Sequence, residues 1–219
     1  RKSEQNQVWV GLARETAHQL GTPMSSLMGW LELMEAEPSY ANEETYSEMR
    51  KDLDRLKVIT DRFSKIGSTP ILKKTDVNEA LENAIQYMKI RSSETVSFIF
   101  NKPSEPAYAD INIPLFEWVV ENLCKNAIDA MEGKGVILFN VRQRNKVIVI
   151  DISDTGKGMP KSLFKRVFKP GFTTKKRGWG LGLSLVKRII ENYHKGQIMV
   201  KESIPNKRTT FRIILKHLG

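Results

Sequence analysis

Two glycine-rich segments in the second half of the chain, DTGKGMP at 154–160 and GWGLGLSLV at 178–186, have the composition of a site for phosphates. The first follows a β-branched apolar run at 147–152, so it lies where a strand gives way to a loop. The second opens a helix, because Leu185, Val186, Ile189, Ile190 and Tyr193 recur at helical spacing behind its glycines. Glycines ahead of a helix let backbone N–H groups close on an anion, and the helix dipole favours negative charge there. Upstream, ENLCKNAIDAM at 121–131 sets Asn122 and Asn126 at i and i+4, on one face of an apolar helix. Amides inside such a helix fit poorly with mere capping or solvation.

Other nucleotide and metal patterns are missing. No Gly-x-x-x-x-Gly-Lys-Ser/Thr occurs, and Leu183 stands where a dinucleotide fingerprint counted from Gly178 would need a glycine. Cysteine and histidine are too few and too scattered for a zinc site.

The elements that must hold these segments can be read from periodicity. Residues 5–35 carry Val8, Leu12, Leu20, Leu27, Leu31 and Met34 at near-helical intervals, and Pro38 ends the run. A second run places Tyr46, Met49, Leu53, Leu56 and Phe63 at heptad-like steps, interrupted by Thr60. Two amphipathic helices joined by a turn make a hairpin with too little core to stand alone, and pairing of two copies into a four-helix bundle is the economical solution. Gly67, Ser68, Thr69 and Pro70 form a linker, which we extend over 68–75. Beyond it we expect helices at 77–90, behind Asp76, and at 114–131, and strands at 96–100, 136–141, 147–152, 198–201 and 211–215, with a turn around Asn145. The fold class is therefore α+β: a helical hairpin over 1–67, then an α/β sandwich over 76–219.

At 219 residues with 40% hydrophobic and 27% charged residues, the chain is long enough for a sizeable core. No apolar run approaches the roughly 20 residues that cross a bilayer, and no signal-peptide pattern opens the chain. The lone Cys124 excludes an internal disulfide and suits a reducing compartment, so a cytoplasmic location is expected. The formal net charge of +10 is spread along the chain, without aromatic-interleaved basic stripes or zinc-finger spacing, and nucleic acid is not expected as a partner. Arg1 in place of an initiator Met suggests a piece of something longer, with an upstream sensor or membrane segment.

Taken in order, these motifs resemble the catalytic core of a sensor histidine kinase of two-component signalling. Such a core is a dimerisation and phosphoacceptor hairpin followed by a Bergerat-type ATP-binding domain of the gyrase, heat-shock-ninety, kinase and MutL superfamily. The resemblance covers nearly the whole chain and implies ATP and Mg²⁺ as cofactors, a homodimer, and the receiver domain of a response regulator as partner.

AHQLGTPMSSL at 17–27 matches the phosphoacceptor motif. The resemblance makes His18 the acceptor, an imidazole being a good nucleophile near neutral pH. Thr22 lies one turn on, and its hydroxyl could orient water or the reacting phosphoryl group. Pro23 removes a helical hydrogen bond and should bend the helix beside His18. Asn126 is implied to supply an amide oxygen to Mg²⁺, a ligand type that suits a hard ion. Asn122 occupies the position where ATP-hydrolysing relatives carry a Glu that activates water. An amide cannot take that proton, which points to transfer onto a side chain. Asp154 matches the adenine reader, with Gly156 and Gly158 turning the loop closely beneath the base. VFKPGFTTK at 167–175 matches the lid, with Phe168 and Phe172 as anchors. Gly178, Gly180 and Gly182, with Leu183, match the second glycine box; Lys175 or Arg177 could add charge at the γ-phosphate, and Thr209, Thr210 and Phe211 resemble the last motif, Thr210 being taken as the nucleotide contact.

The chain departs from the family pattern at several positions. Gln19 stands where an acidic residue commonly acts as base, Asp129 where a phosphate-contacting Lys is frequent, Gly171 where the lid commonly has an aromatic, and Arg208 where the last motif usually has Gly. The expected activity is autophosphorylation of His18 from Mg-ATP and passage of the phosphoryl group to an Asp of a response regulator. A regulator-dephosphorylating core, permitted by Thr22, and a nucleotide-binding scaffold without chemistry are the alternatives.

Overall fold

A computed structural model describes residues 70–174 and 180–218 together with 20, 24, 25, 27–32, 34–36, 46, 47, 49–51, 53, 54, 56, 57 and 60. The chain divides into two compact units, 1–70 and 71–219.

In the first unit every described residue from Leu20 to Thr60 is helical. The two helical stretches lie side by side: the Tyr46 hydroxyl donates to the Met34 carbonyl at 2.6 Å, and one Arg50 nitrogen reaches both oxygens of Glu35 at 2.8 Å. Leu31 and Leu53 are buried between them. Thr60, the polar break in the heptad-like run, is also buried, and its hydroxyl donates to the Leu56 carbonyl at 2.9 Å. A core position thereby accepts a threonine because the helix itself satisfies the hydroxyl.

The second unit runs β1 (Lys73–Asp76), α1 (Val77–Arg91), β2 (Val96–Asn101), β3 (Tyr108–Ile111), α2 (Ile113–Ala130), β4 (Gly135–Arg144), β5 (Val147–Asp154), α3 (Gly182–Arg188), β6 (Gln197–Ile204) and β7 (Arg208–Lys216). Five strands form a sheet in the order β2-β4-β5-β7-β6, with β2 parallel to β4 and the other pairs antiparallel. The α+β organisation is the one expected. Two short strands were not: β1 and β3 form a separate antiparallel ribbon, so 73–75, read as the tail of a linker, are strand. KKTD carries no alternating apolar face, and that of YADI is only Ala109 and Ile111, both buried, too short a pattern to mark a strand before the two segments meet. Asp76 closes the ribbon, its Oδ1 accepting from the N–H of Asn78 at 2.9 Å, as the N-cap of α1, and from Ala107 at 3.1 Å.

Alternation along the strands gives the sheet two unlike faces. Ile137, Phe139, Ile150, Ile152, Phe211 and Ile213 are buried on the face against which α1 and α2 pack, with Leu81, Val119 and Leu123 opposite. On the reverse face Asp151 accepts from Arg142, Lys201 and Arg212. Lys201 lies at a bulge between Val200 and Glu202 that shifts the β6 register. Helix α3 passes into a π-helical turn, Ile189–Tyr193, where the periodicity alone would continue the α-helix. His194 holds that turn: its Nδ1–H donates to the Ile189 carbonyl and its Nε2 accepts from Asn112 N–H, the N-cap of α2, each at 3.0 Å.

Candidate functional site

The site grows from α2, whose N-terminus is closed by Asn112, its side chain accepting from Leu115 N–H at 3.2 Å, and by Pro114 in the first turn. Leu115, Val119, Leu123 and Ala127 anchor the inner face of α2, so its half-buried polar residues, Asn122 and Asn126, are held in register by apolar packing. The Asn122 amide donates to the Trp118 carbonyl at 2.8 Å. That leaves its oxygen turned to Gly182, where an added Cβ would stand 3.0 Å from Asn122 Oδ1. Glu121, the neighbouring carboxylate, is buried and bonded to Lys125 at 2.7 Å.

The first glycine segment leaves β5 and closes on the other end of α2. Lys157 N–H donates to the Ala130 carbonyl at 2.9 Å, and a Cβ on Gly156 would sit 2.8 Å from Ala130 backbone atoms. Gly158 has a φ of +64° and lies against the Ile204 carbonyl, so any side chain there would be both strained and blocked. Asn206 N–H, in the β6–β7 turn, donates to Lys157 O at 2.8 Å. Asp154 ends β5 on the helix-covered face, in register with Ile137 and Thr209, and is only 5% exposed. Its Oδ1 accepts from Gly156 N–H at 2.9 Å. Burial pushes its carboxyl up to about 6, against the opposing effect of the Gly156 and Thr209 backbone N–H groups.

The second glycine segment meets α2 through Gly182, and Gly180 pins the base of the loop before it. Gly171 N–H donates to Gly180 O at 3.1 Å, and Gly180, at φ +65°, has Gly171 and Phe172 backbone atoms 2.6–2.8 Å from where a Cβ would be. Residues on either side of the loop are thus held together, while Lys175, Arg177 and Gly178 lie outside the described residues, as do His18, Gln19 and Thr22. Phe168 is buried, edge-on to Phe211 at 6.2 Å, with Lys187 over its ring; Phe172 is half-buried beneath Arg166. Leu183 is half-buried on α3.

Thr210 does not share the Asp154 side of the sheet. It pairs with Ser153, and the two hydroxyls lie 2.8 Å apart on the reverse face. Thr209 is the residue opposite Asp154, and its hydroxyl lies 3.0 Å from Ser203, which also accepts from Met159 N–H at 2.8 Å. Strand parity was the missing signal: Asp154 and Thr210 can share a face only if their strands pair one residue out of the observed register. Ser203 carried no motif at all and was missed.

Among the described residues no group of three or more His, Cys, Asp or Glu could hold a metal ion. The donor set on α2 is amide oxygen, which fits a hard cation that arrives with phosphates better than a resident one.

A family model described as histidine kinase-, DNA gyrase B-, and HSP90-like ATPase matches residues 111–218. Sporulation kinase A of Bacillus subtilis (strain 168) is 28% identical over 218 residues, covering 97% of this chain and 35% of that protein. The chain spans about a third of the length of the first curated relatives it matches. Among solved structures, the catalytic domain of histidine kinase ThkA aligns with a TM-score of 0.57 at 27% identity, covering 66% of this chain and 95% of that one. ThkA in complex with the response regulator protein TrrA aligns with a TM-score of 0.63 over 100% of this chain and 64% of that one, and at 18% identity this is a likeness of fold.

Proposed function

The chain belongs to the histidine kinase-, DNA gyrase B- and HSP90-like ATPases, as the catalytic core of a sensor histidine kinase, and on that premise we propose that it moves the γ-phosphoryl group of ATP to His18 and then to an Asp of a response-regulator receiver domain. The observation that carries this reading is the convergence of both glycine segments on one helix, Gly182 against Asn122 and Gly156 against Ala130, with Asp154 buried between β5 and β7. Asp154 accepts from the adenine amine, Gly156 and Gly158 let the loop run close under the base, and the glycines at 178, 180 and 182 carry the phosphates toward the α3 N-terminus. Phe168 supports the lid through Phe211. Asn126 would hold Mg²⁺ through its amide oxygen, and the ion would supply charge neutralisation at the phosphates.

Water is a poor rival to His18 as acceptor. Asn122 cannot take a proton from it, and the Glu121 carboxylate is engaged by Lys125. Leu27, Trp30, Met49 and Leu56 are 37–62% exposed on the helical unit, and a second copy would cover such a surface as a four-helix bundle. ThkA is known in complex with a response regulator, which supports a receiver domain as partner. No described helix is long and apolar enough to cross a membrane; the proposed use of ATP supports a cytoplasmic setting for the core.

Incubation with γ-labelled ATP tests the reading: the chain should take up label that acid removes, as it does from phosphohistidine. His18→Ala should abolish it, and Asn126→Ala should weaken its Mg²⁺ dependence. Label that survives His18→Ala, or that resists acid, overturns the assignment.

A further inference from the structure

Ser203, near the end of β6, makes the full set of contacts that a hydroxyl can make. Its oxygen accepts from Met159 N–H at 2.8 Å, its proton lies toward the Arg208 carbonyl at 3.2 Å, and Thr209 Oγ1 stands 3.0 Å away. A serine hydroxyl has one proton and two lone pairs. Met159 offers only an N–H and Arg208 only a carbonyl oxygen. Satisfying both therefore uses the proton and one lone pair, and the other lone pair faces Thr209. Thr209 must then donate. Its proton is committed to Ser203, and its oxygen retains acceptor capacity only.

That polarity matters because of where Thr209 sits. It pairs with Asp154 across the β5–β7 ladder, and its backbone N–H bears on the Asp154 carboxylate. Asp154 and Thr209 are both buried, at 5% and 3% exposure. The corner they share presents an ionised carboxylate and a hydroxyl oxygen, both acceptors. A base edge bearing an amine is complementary to it, and an edge bearing an oxo group sets acceptor against acceptor.

We propose that Ser203 is a positioning residue that fixes the polarity of the Thr209 hydroxyl, so that the pocket takes a purine with an amino group at position 6 and rejects one with an oxo group there. The inference rests on the reading of the Asp154 corner as the adenine site. Without the Ser203 oxygen, the Thr209 proton is released and can turn to a 6-oxo group. Selectivity then falls through a residue that never touches the base.

Dissociation constants for ATP and inosine 5′-triphosphate, measured on the whole chain by displacement of a fluorescent nucleotide, test this. The parent chain should prefer ATP by at least roughly tenfold, as one well-made against one opposed hydrogen bond implies. Ser203→Ala should lower that preference about five- to tenfold, chiefly through tighter binding of the inosine nucleotide. Ser203→Thr, which keeps the hydroxyl, should restore it. Thr209→Val, nearly isosteric, should also lower the preference, through weaker ATP binding, and it carries the test if Ser203→Ala unfolds. Equal weakening of both nucleotides in Ser203→Ala would make Ser203 a packing residue of the loop and overturn the proposal. So would an unchanged preference in Thr209→Val. A parent chain that binds neither nucleotide removes the adenine-site reading itself, a different failure from loss of selectivity alone.

Discussion

Asp151 and Asp154 stand on the same strand, are 3% and 5% exposed, and titrate in opposite directions. Asp151 faces the reverse side of the sheet. Burial alone would push its carboxyl up, but hydrogen bonds and charge from Arg212 and Lys201 outweigh that and hold it below the usual range. Asp154 faces the helices, accepts only from backbone N–H groups among its recorded partners, and is pushed up to about 6. The first carboxylate is compensated by the fold. The second is compensated only in part, by backbone N–H groups, which suits the ligand role proposed for it.

The energetic consequence has a definite sign. Asp154 binds its proton more tightly in the folded chain, at about 6, than in an unfolded chain near 3.9. Its contribution to the stability of the nucleotide-free domain is therefore largest below pH ~4 and lost as the pH rises to about 6, leaving an ionised group that costs on the order of 2–3 kcal/mol. Asp151 runs the other way, stabilising above its unfolded value and losing that contribution as the pH falls through its lower folded value.

The sharpest way to break this contrast is Asp154→Asn. ATP affinity should fall roughly 10- to 100-fold, while the nucleotide-free domain becomes more stable at pH 8 by about 1–3 kcal/mol. Calorimetry and thermal unfolding read the two effects, and a variant that is destabilised without nucleotide would deny Asp154 its only partly compensated state. Next in size, Asp151→Ala should cost about 2–3 kcal/mol in denaturant unfolding, below the range for a fully buried pair because its cations are partly exposed. Its ATP affinity should stay within about twofold of the parent; a large loss would mean that the two faces of β5 are coupled.

A pH titration separates the pair without mutation. ATP affinity should decline as the pH drops through about 6, approaching roughly tenfold per unit once Asp154 is mostly protonated in the free chain. An affinity flat from pH 7 to 5 would mean that its protonation does not govern binding. The smallest effect belongs to Lys201→Ala, whose amine is one of several cations on Asp151 and whose side chain is 38% exposed. We expect less than about 1 kcal/mol in unfolding free energy, and a larger loss would single out the β6 bulge as the support of that cluster.

Much of this architecture is written locally. The helix behind Asp76, the Asn145 turn, with its φ of +48°, and the strand that ends in Asp-Thr-Gly follow from capping, turn chemistry and alternation. So does the helix behind the second glycine box. The β1–β3 ribbon does not, because β1 has no apolar pattern of its own and that of β3 is only Ala109 and Ile111. Nor does the π-helical turn: Ile189, Ile190 and Tyr193 continue the helical spacing, and the extra residue is set by His194 bonding to Ile189 and to Asn112 N–H on another helix.

By itself the sequence determined the kinds of element, their order, the glycine loops and the residue types able to meet a nucleotide, since each depends on neighbours along the chain. Tertiary structure alone decided that Thr209 and not Thr210 stands opposite Asp154, that the Ser203 and Thr209 hydroxyls lie 3.0 Å apart, and that two aspartates on one strand have carboxyls shifted in opposite directions. The physical reason is common to all three. Facing direction is set by strand register, hydrogen-bond polarity by the partners' inventories of protons and lone pairs, and proton affinity by burial and nearby charge, and each of these depends on groups brought together from distant parts of the chain.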